Sequence, residues 1–296
     1  MSIAAAPISW GVCEVPGWGT QLAPDVVLAA MHDAGFTATE LGPDGYLGND
    51  AVQVRALLGQ HQLQLCAGFV TAVLHDHVTI NEQLAGVERQ ARMLADCGAQ
   101  VLVLAVIDGL DYDERRALGH PEWALVQGGI NACARIATQA GLVLAVHPHV
   151  GTVIEGPGDL QRVVDRTAAG ICLDSGHMWL GGIDPVRWAR EHSDRVAHVH
   201  LKDVDADLGQ QVRAGTLAYS DAVGQGLYVE PGQGVVAARE LLDVLAGVGY
   251  HDWIVLERDI TLAAEPAPGS DADPAVSMQR SGRWVAQQLA AVREGV

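Results

Sequence analysis

The sequence predicts an α/β fold, a (β/α)8 TIM barrel, on three observations. Short apolar runs rich in Val, Leu, Ile and Ala recur along the chain, and a longer amphipathic segment follows each. Eight such pairs fit within 296 residues. No GxGxxG follows the first run, which removes the main support for the alternative, a doubly wound dinucleotide-binding sheet. Strands that are apolar throughout, each leading into a crossover helix, form a parallel sheet covered on its outer face. Eight units close such a sheet into a barrel.

The strands are read as 8–12 (ISWGV), 38–41 (ATEL), 64–69 (QLCAGF), 101–106 (VLVLAV), 142–147 (LVLAVH), 170–174 (GICLD), 196–201 (VAHVHL) and 253–257 (WIVLE). The helices are read at 24–34, 49–61, 82–97, 121–139, 158–167, 184–192, 235–248 and 275–292. A proline beside an acidic residue opens several of them, as at Pro24-Asp25, Pro121-Glu122 and Asp184-Pro185. Glycine closes several, at Gly35, Gly98, Gly141 and Gly249. The expected organisation is one barrel domain over 1–296, with no internal repeat or linker. Connections 203–234 and 259–274 are too long for simple turns, and both fall at the C-terminal face of the barrel.

Composition narrows the partners. A hydrophobic content of 49% with only 5% aromatics predicts a large aliphatic core. A net charge of −18 argues against nucleic acid and anionic membranes as partners. Five cysteines, an odd number without CxxC spacing, predict free thiols and a cytoplasmic setting. The opening MSIAAAPISW does not predict a signal peptide, and no apolar run approaches the ~18 residues of a membrane span. Trp18 and Trp179 read as exposed and point weakly to a homo-oligomer.

In such a barrel the chemistry gathers at the C-terminal ends of the strands. Those ends carry Trp10, Glu40, the pair His147 and His149, Asp174 with His177, the series His198, His200 and Lys202, and Glu257. Residues i and i+2 of a strand share a face. His147 and His149 therefore point together, and so do His198, His200 and Lys202. Polar groups facing a barrel mouth need partners, and one divalent cation can serve several. Asp, Glu and neutral imidazole suit Mn, Co, Zn, Fe or Mg. Glu40 and Glu155 suit a substrate contact or a surface hydrogen bond. The turn Pro231-Gly232-Gln233-Gly234 precedes a helix and suits either an anion cradle or an ordinary turn.

ICLDSGH (171–177), VHLKDV (199–204) and VLERD (255–259), in this order, resemble the xylose-isomerase-like sugar isomerase/epimerase superfamily. ISWGVCEVPGWG (8–19), TELGPDGYLG (39–48) and VHPHVGTVIE (146–155) resemble its inosose dehydratase branch. The resemblance covers essentially the whole chain. It implies a metal-dependent lyase that removes water from a keto-inositol by proton abstraction next to the carbonyl. Keto-sugar isomerisation or epimerisation is the alternative. Asp174, His200 and Glu257 would hold the metal, with Mn or Co favoured. His147 stands where the superfamily has a glutamate ligand, so it either ligates or contacts substrate. His149 or His177 would be the base, with a second imidazole or Lys202 as the acid. Trp10, Glu40, His147, Glu155 and His198 are the expected substrate contacts, and the partner is a small polyol or keto-sugar. The run Val235-Val236-Ala237 lacks an acidic residue that the family often carries there. An abasic-site nuclease shares this barrel but is disfavoured by the acidic charge. A non-catalytic barrel subunit is the remaining alternative.

Overall fold

A computed structural model describes residues 1–270 and 272–294. Residue 271 of the predicted 259–274 connection, and residues 295–296 of the predicted domain, lie outside the described residues. The strands are β1 (Ser2–Ala5), β2 (Ala38–Glu40), β3 (Gln64–Ala72), β4 (Val101–Val106), β5 (Val143–Val146), β6 (Gly170–Asp174), β7 (Val196–Leu201), β8 (Asp203–Val204), β9 (Tyr228–Val229) and β10 (Trp253–Leu256). The helices are α1 (Pro24–Asp33), α2 (Ala51–Gln60), α3 (Ile80–Asp96), α4 (His120–Gln139), α5 (Pro157–Arg166), α6 (Ser175–Leu180), α7 (Pro185–Glu191), α8 (Ala206–Arg213), α9 (Tyr219–Gly224), α10 (Ala238–Gly247) and α11 (Pro274–Glu294). Strands β1 to β7 and β10 close into one parallel barrel, with β10 pairing β7 on one side and β1 on the other. Among the described residues, no helix is long and apolar enough to cross a membrane.

The first predicted strand is corrected. Residues 8–12 are not a strand; Pro7–Trp10 form a 3-10 turn closed by Gly11 at φ 77°. Pro7 has no N–H to give a ladder. The small segment Ser2–Ala5 takes the first place instead. Trp10 is therefore not at a strand end. Its ring packs edge-on against Phe36, with centroids 6.5 Å apart, in the layer between sheet and helices.

That outer layer, which includes Leu28, Val54, Leu94 and Ile130, is fully buried aliphatic core. The barrel's own interior is made of small side chains, among them Ala4, Ala38, Ala67, Ala145, Cys172 and Val255. The alternation then continues upward along each strand. Two residues beyond Ala38, Ala145, Cys172 and Val255 stand Glu40, His147, Asp174 and Glu257, all buried. Small residues below leave these polar groups converging at the C-terminal rim.

The predicted 203–234 connection is a built structure. It holds α8, α9 and an antiparallel ribbon in which Asp203 faces Val229 and Val204 faces Tyr228. The anion that the Pro231–Gly234 turn cradles is the chain's own Asp203. Its Oδ2 accepts from the Gly232 and Gly234 N–H groups at 2.8 and 3.0 Å. Its Oδ1 accepts from Val204 and Val236, both at 2.9 Å. A Cβ at Gly234 would collide with the Val204 carbonyl and the Asp203 carboxylate, so only glycine fits there. In Asp203→Asn the amide NH2 would have to face two N–H donors whichever way it turned. We expect that change to destabilise the fold by about 3 kcal/mol, read as a lower midpoint in thermal unfolding.

Candidate active site

At the rim, β6 and β7 pair in a register that sets Asp174 beside His200, and β10 sets Val255 beside His200. Asp174 also caps α6: its Oδ1 accepts from the His177 N–H at 2.8 Å. Its Oδ2 lies 3.3 Å from His147 Nε2, 3.6 Å from His200 Nδ1 and 3.4 Å from Lys202 Nζ. Glu257 Oε2 lies 3.1 Å from His200 Nδ1 and 3.0 Å from Lys202 Nζ. The pocket above is walled by His147, His149, His200, Lys202, Glu257 and Glu40, with Phe69, Tyr112 and Trp18 among its aromatic surfaces.

Among the described residues, three groups could hold a cation: Asp174–His200–Glu257, Glu40–His198–His200 and His147–Cys172–His200. They are not equivalent. Asp174 Oδ2 and His200 Nδ1 are buried without a hydrogen bond, a costly arrangement that a cation would relieve. The second group is already satisfied, because Glu40 Oε1 lies 2.8 Å from His198 Nε2 and 3.0 Å from His200 Nε2. The third has no carboxylate, and burial pushes its Cys172 thiol up to about 11, whereas carboxylate and imidazole donors together suit the harder divalent ions. The donor set of Asp174, His200 and Glu257 is the one that fits a divalent ion.

Charge in the site is set by competition between burial and neighbours. Burial alone would raise the Asp174 and Glu40 carboxyls. Lys202 chiefly outweighs it at Asp174, and His200 with His198 outweighs it at Glu40, so both sit well below the usual carboxylate range. Burial works against the Lys202 ammonium, but Asp174, Asp259 and Glu257 push it well above the ordinary lysine value. Burial also opposes a charge on His200, where Cys172, Glu257 and Glu40 prevail and raise it. His149 and His177 go the other way. Burial first, then positive neighbours, holds both well below the ordinary imidazole value.

The two rings also differ in exposure to the pocket. His149 lines it, whereas His177 stacks behind at 3.7 Å between centroids. His177 Nε2 sits 3.1 Å from Lys202 Nζ.

The predicted set is not gathered whole. Glu155 stands outside the pocket, where its Oε2 accepts from the Gly151 N–H at 3.0 Å and lies 3.5 Å from Arg115. His198 faces inward as its alternation requires, but lies beneath His200 and does not line the pocket. Trp10 is in the outer core. Trp18, read as exposed, is 7% exposed and donates its indole N–H to the Ile260 carbonyl. Trp179 is half-buried under Arg213.

Other groups were not foreseen. Asp259 accepts from Lys202 and from the Tyr219 hydroxyl at 2.9 and 3.1 Å. Tyr228 carries Lys202 over its ring at 5.2 Å. Tyr112 packs on His149 at 4.5 Å and donates to Glu14 at 2.6 Å. Asp259 follows Glu257 by two residues, so the strand alternation carried past the strand end would have found it.

Comparison with known proteins places this geometry. The xylose isomerase-like TIM barrel family matches residues 28–281. The chain belongs to that family. This barrel is 31% identical over 269 residues to an inosose dehydratase of Geobacillus kaustophilus (strain HTA426), covering 87% of each chain. It is 31% identical over 268 residues to the rhizopine catabolism protein MocC of Rhizobium meliloti, covering 88% of this chain and 82% of that one. Among solved structures, an L-ribulose 3-epimerase shares the fold with a TM-score of 0.73 at 14% identity, covering 100% and 97% of the two chains. The 3-keto-D-glucoside 4-epimerase YcjR from E. coli does so at 0.67 and 18%, covering 97% and 99%. This member of the xylose isomerase-like family is an enzyme, by its likeness to the dehydratases, while the two epimerase structures share its fold.

Proposed function

We propose that the chain is a divalent-metal-dependent dehydratase of a keto-inositol. The observation that carries this reading is the His149 ring. Its Nδ1 lies 2.6 Å from the Val150 carbonyl oxygen. A carbonyl can only accept, so the proton is on Nδ1 and Nε2 keeps its lone pair. The ring lines the pocket beside the candidate cation ligands and rests uncharged. Those are the requirements for a base that takes a proton from carbon.

Asp174, His200 through Nδ1, and Glu257 would hold the cation, and Mn or Co is favoured. What a bound cation supplies is Lewis acidity toward a substrate carbonyl. His147, in place of a carboxylate, brings Nε2 to 3.3 Å from Asp174 and leaves the ligand set one charge less negative. His149 Nε2 removes the proton from the carbon next to the carbonyl. The electron pair left behind forms the new C=C bond as the neighbouring C–O bond breaks. The departing hydroxide leaves as water with the proton that His149 carried. Lys202 lines the pocket and is held protonated by three carboxylates. We assign it to holding a substrate oxygen rather than to giving up a proton. His177, stacked behind His149, restrains the orientation of that ring.

The relatives named inosose dehydratase support the substrate class. The test is to incubate chelator-stripped protein with a keto-inositol, with and without Mn or Co. Enone absorbance and loss of one water by mass should appear only with metal. Equal rates in stripped and loaded protein would overturn the reading. A rearranged ketose without water loss would replace it by epimerisation at the same site.

A further inference from the structure

We propose that Glu40 is a positioning residue, whose carboxylate holds the His200 ring so that Nδ1 faces Asp174 and Glu257. The inference rests on the cation reading above. Glu40 ends β2 and His200 lies on β7, and the barrel order puts β1 and β10 between them. Glu40 therefore reaches across the interior rather than to a neighbouring strand. Its Oε1 takes both imidazoles, with His198 Nε2 at 2.8 Å and His200 Nε2 at 3.0 Å. All three residues are at most 2% exposed.

The chemistry of the bond fixes the ring. A carboxylate only accepts, so His200 carries a proton on Nε2. A neutral His200 must then keep its lone pair on Nδ1, the atom 3.1 Å from Glu257 and 3.6 Å from Asp174. Turning the ring over would present a C–H to Glu40 and forfeit the bond. A charge-assisted bond in a buried setting is strong enough to prevent this. The Glu40–His198–His200 group is a poor rival cation site, because its facing atoms already satisfy one another. Glu40 also borders the pocket, so a direct substrate contact is the competing role.

Cobalt titration of the chelator-stripped full chain separates these roles, read by calorimetry and by the visible spectrum of the bound ion. The wild-type chain should bind one cobalt. Glu40→Gln loses the anion and should weaken the cobalt Kd by about 10- to 100-fold, with an altered spectrum. Glu40→Asp is too short to keep both bonds and should shift the same way. It serves if the glutamine variant does not fold, which thermal unfolding of the stripped protein reports. His198→Asn leaves the Glu40–His200 bond and should stay within about threefold of wild type. Unchanged Kd and spectrum in the Glu40 variants, with only KM altered, would overturn the positioning role in favour of substrate contact. Two cobalt ions in the wild type would overturn it in favour of a second ion site. No cobalt in the wild type would remove the cation reading itself, and this inference with it.

Discussion

Replacing Asp174 with asparagine should lower kcat for water elimination by about 10³-fold and strip most of the bound metal. The two oxygens of Asp174 do different work. Oδ1 accepts from the His177 N–H and starts α6. Oδ2 faces His147, His200 and Lys202 without a hydrogen bond of its own. In asparagine the cap claims the oxygen, because an NH2 group cannot face the His177 N–H. The NH2 then points at the Lys202 ammonium, where a donor meets a donor, and a cation finds no anion. The helix cap survives, so far-UV circular dichroism should match wild type while metal content and turnover both fall. The check is metal analysis beside initial rates over a range of added manganese. A variant that kept full metal and lost less than about tenfold in kcat would mean that Oδ2 is not a ligand.

Fold and site were readable to different depths. Strands 101–106, 170–174 and 196–201 match their predicted limits. β4 is apolar on both faces and buried along its whole length, and β6 and β7 each keep one face apolar, through Ile171 and Leu173 and through Val199 and Leu201. The first strand went wrong because Ile8 and Trp10 look like strand residues, while Ser2–Ala5 has only Ile3 as a large side chain to signal one. Trp10 was lost from the site with it. Helices α8 and α9 have eight and six residues, too short for a helical period to stand out in the 203–234 segment.

In the site, alternation along strands did most of the work. Once the direction of one residue in β7 is known, His198, His200 and Lys202 follow. The same rule cannot rank them by height, so His198 was placed in the pocket when it lies below it. Tyr112, Tyr219 and Glu14 reach the site from segments without a strand period. Nothing in their spacing fixes which way they point. Glu155, left open between a substrate contact and a surface hydrogen bond, could not be placed for the same reason: a tight turn aims it at the Gly151 N–H, away from the pocket.

Lys202→Met should cost about 3–5 kcal/mol of stability in the metal-stripped protein. The ammonium nitrogen lies 2.9 Å from Asp259, 3.0 Å from Glu257 and 3.4 Å from Asp174, and the residue is 3% exposed. Among the described residues it is the one lysine or arginine lining the pocket, and it faces three carboxylates there or just behind the wall. Methionine keeps the length and apolar stem of the side chain, so packing against Tyr228 is nearly preserved. What is lost is the charge. Three buried acidic groups are then left to repel one another or to take up a proton, and either response penalises the native state. Thermal unfolding of stripped protein should show the midpoint falling by about 10 °C. Added Mn or Co should recover part of that loss, because a cation at Asp174 and Glu257 supplies charge of the same sign to the same oxygens. An unchanged midpoint would mean that those carboxylates are neutral in the folded chain, and the Asp174–His200–Glu257 group would then be a hydrogen-bonded cluster with no call for an ion.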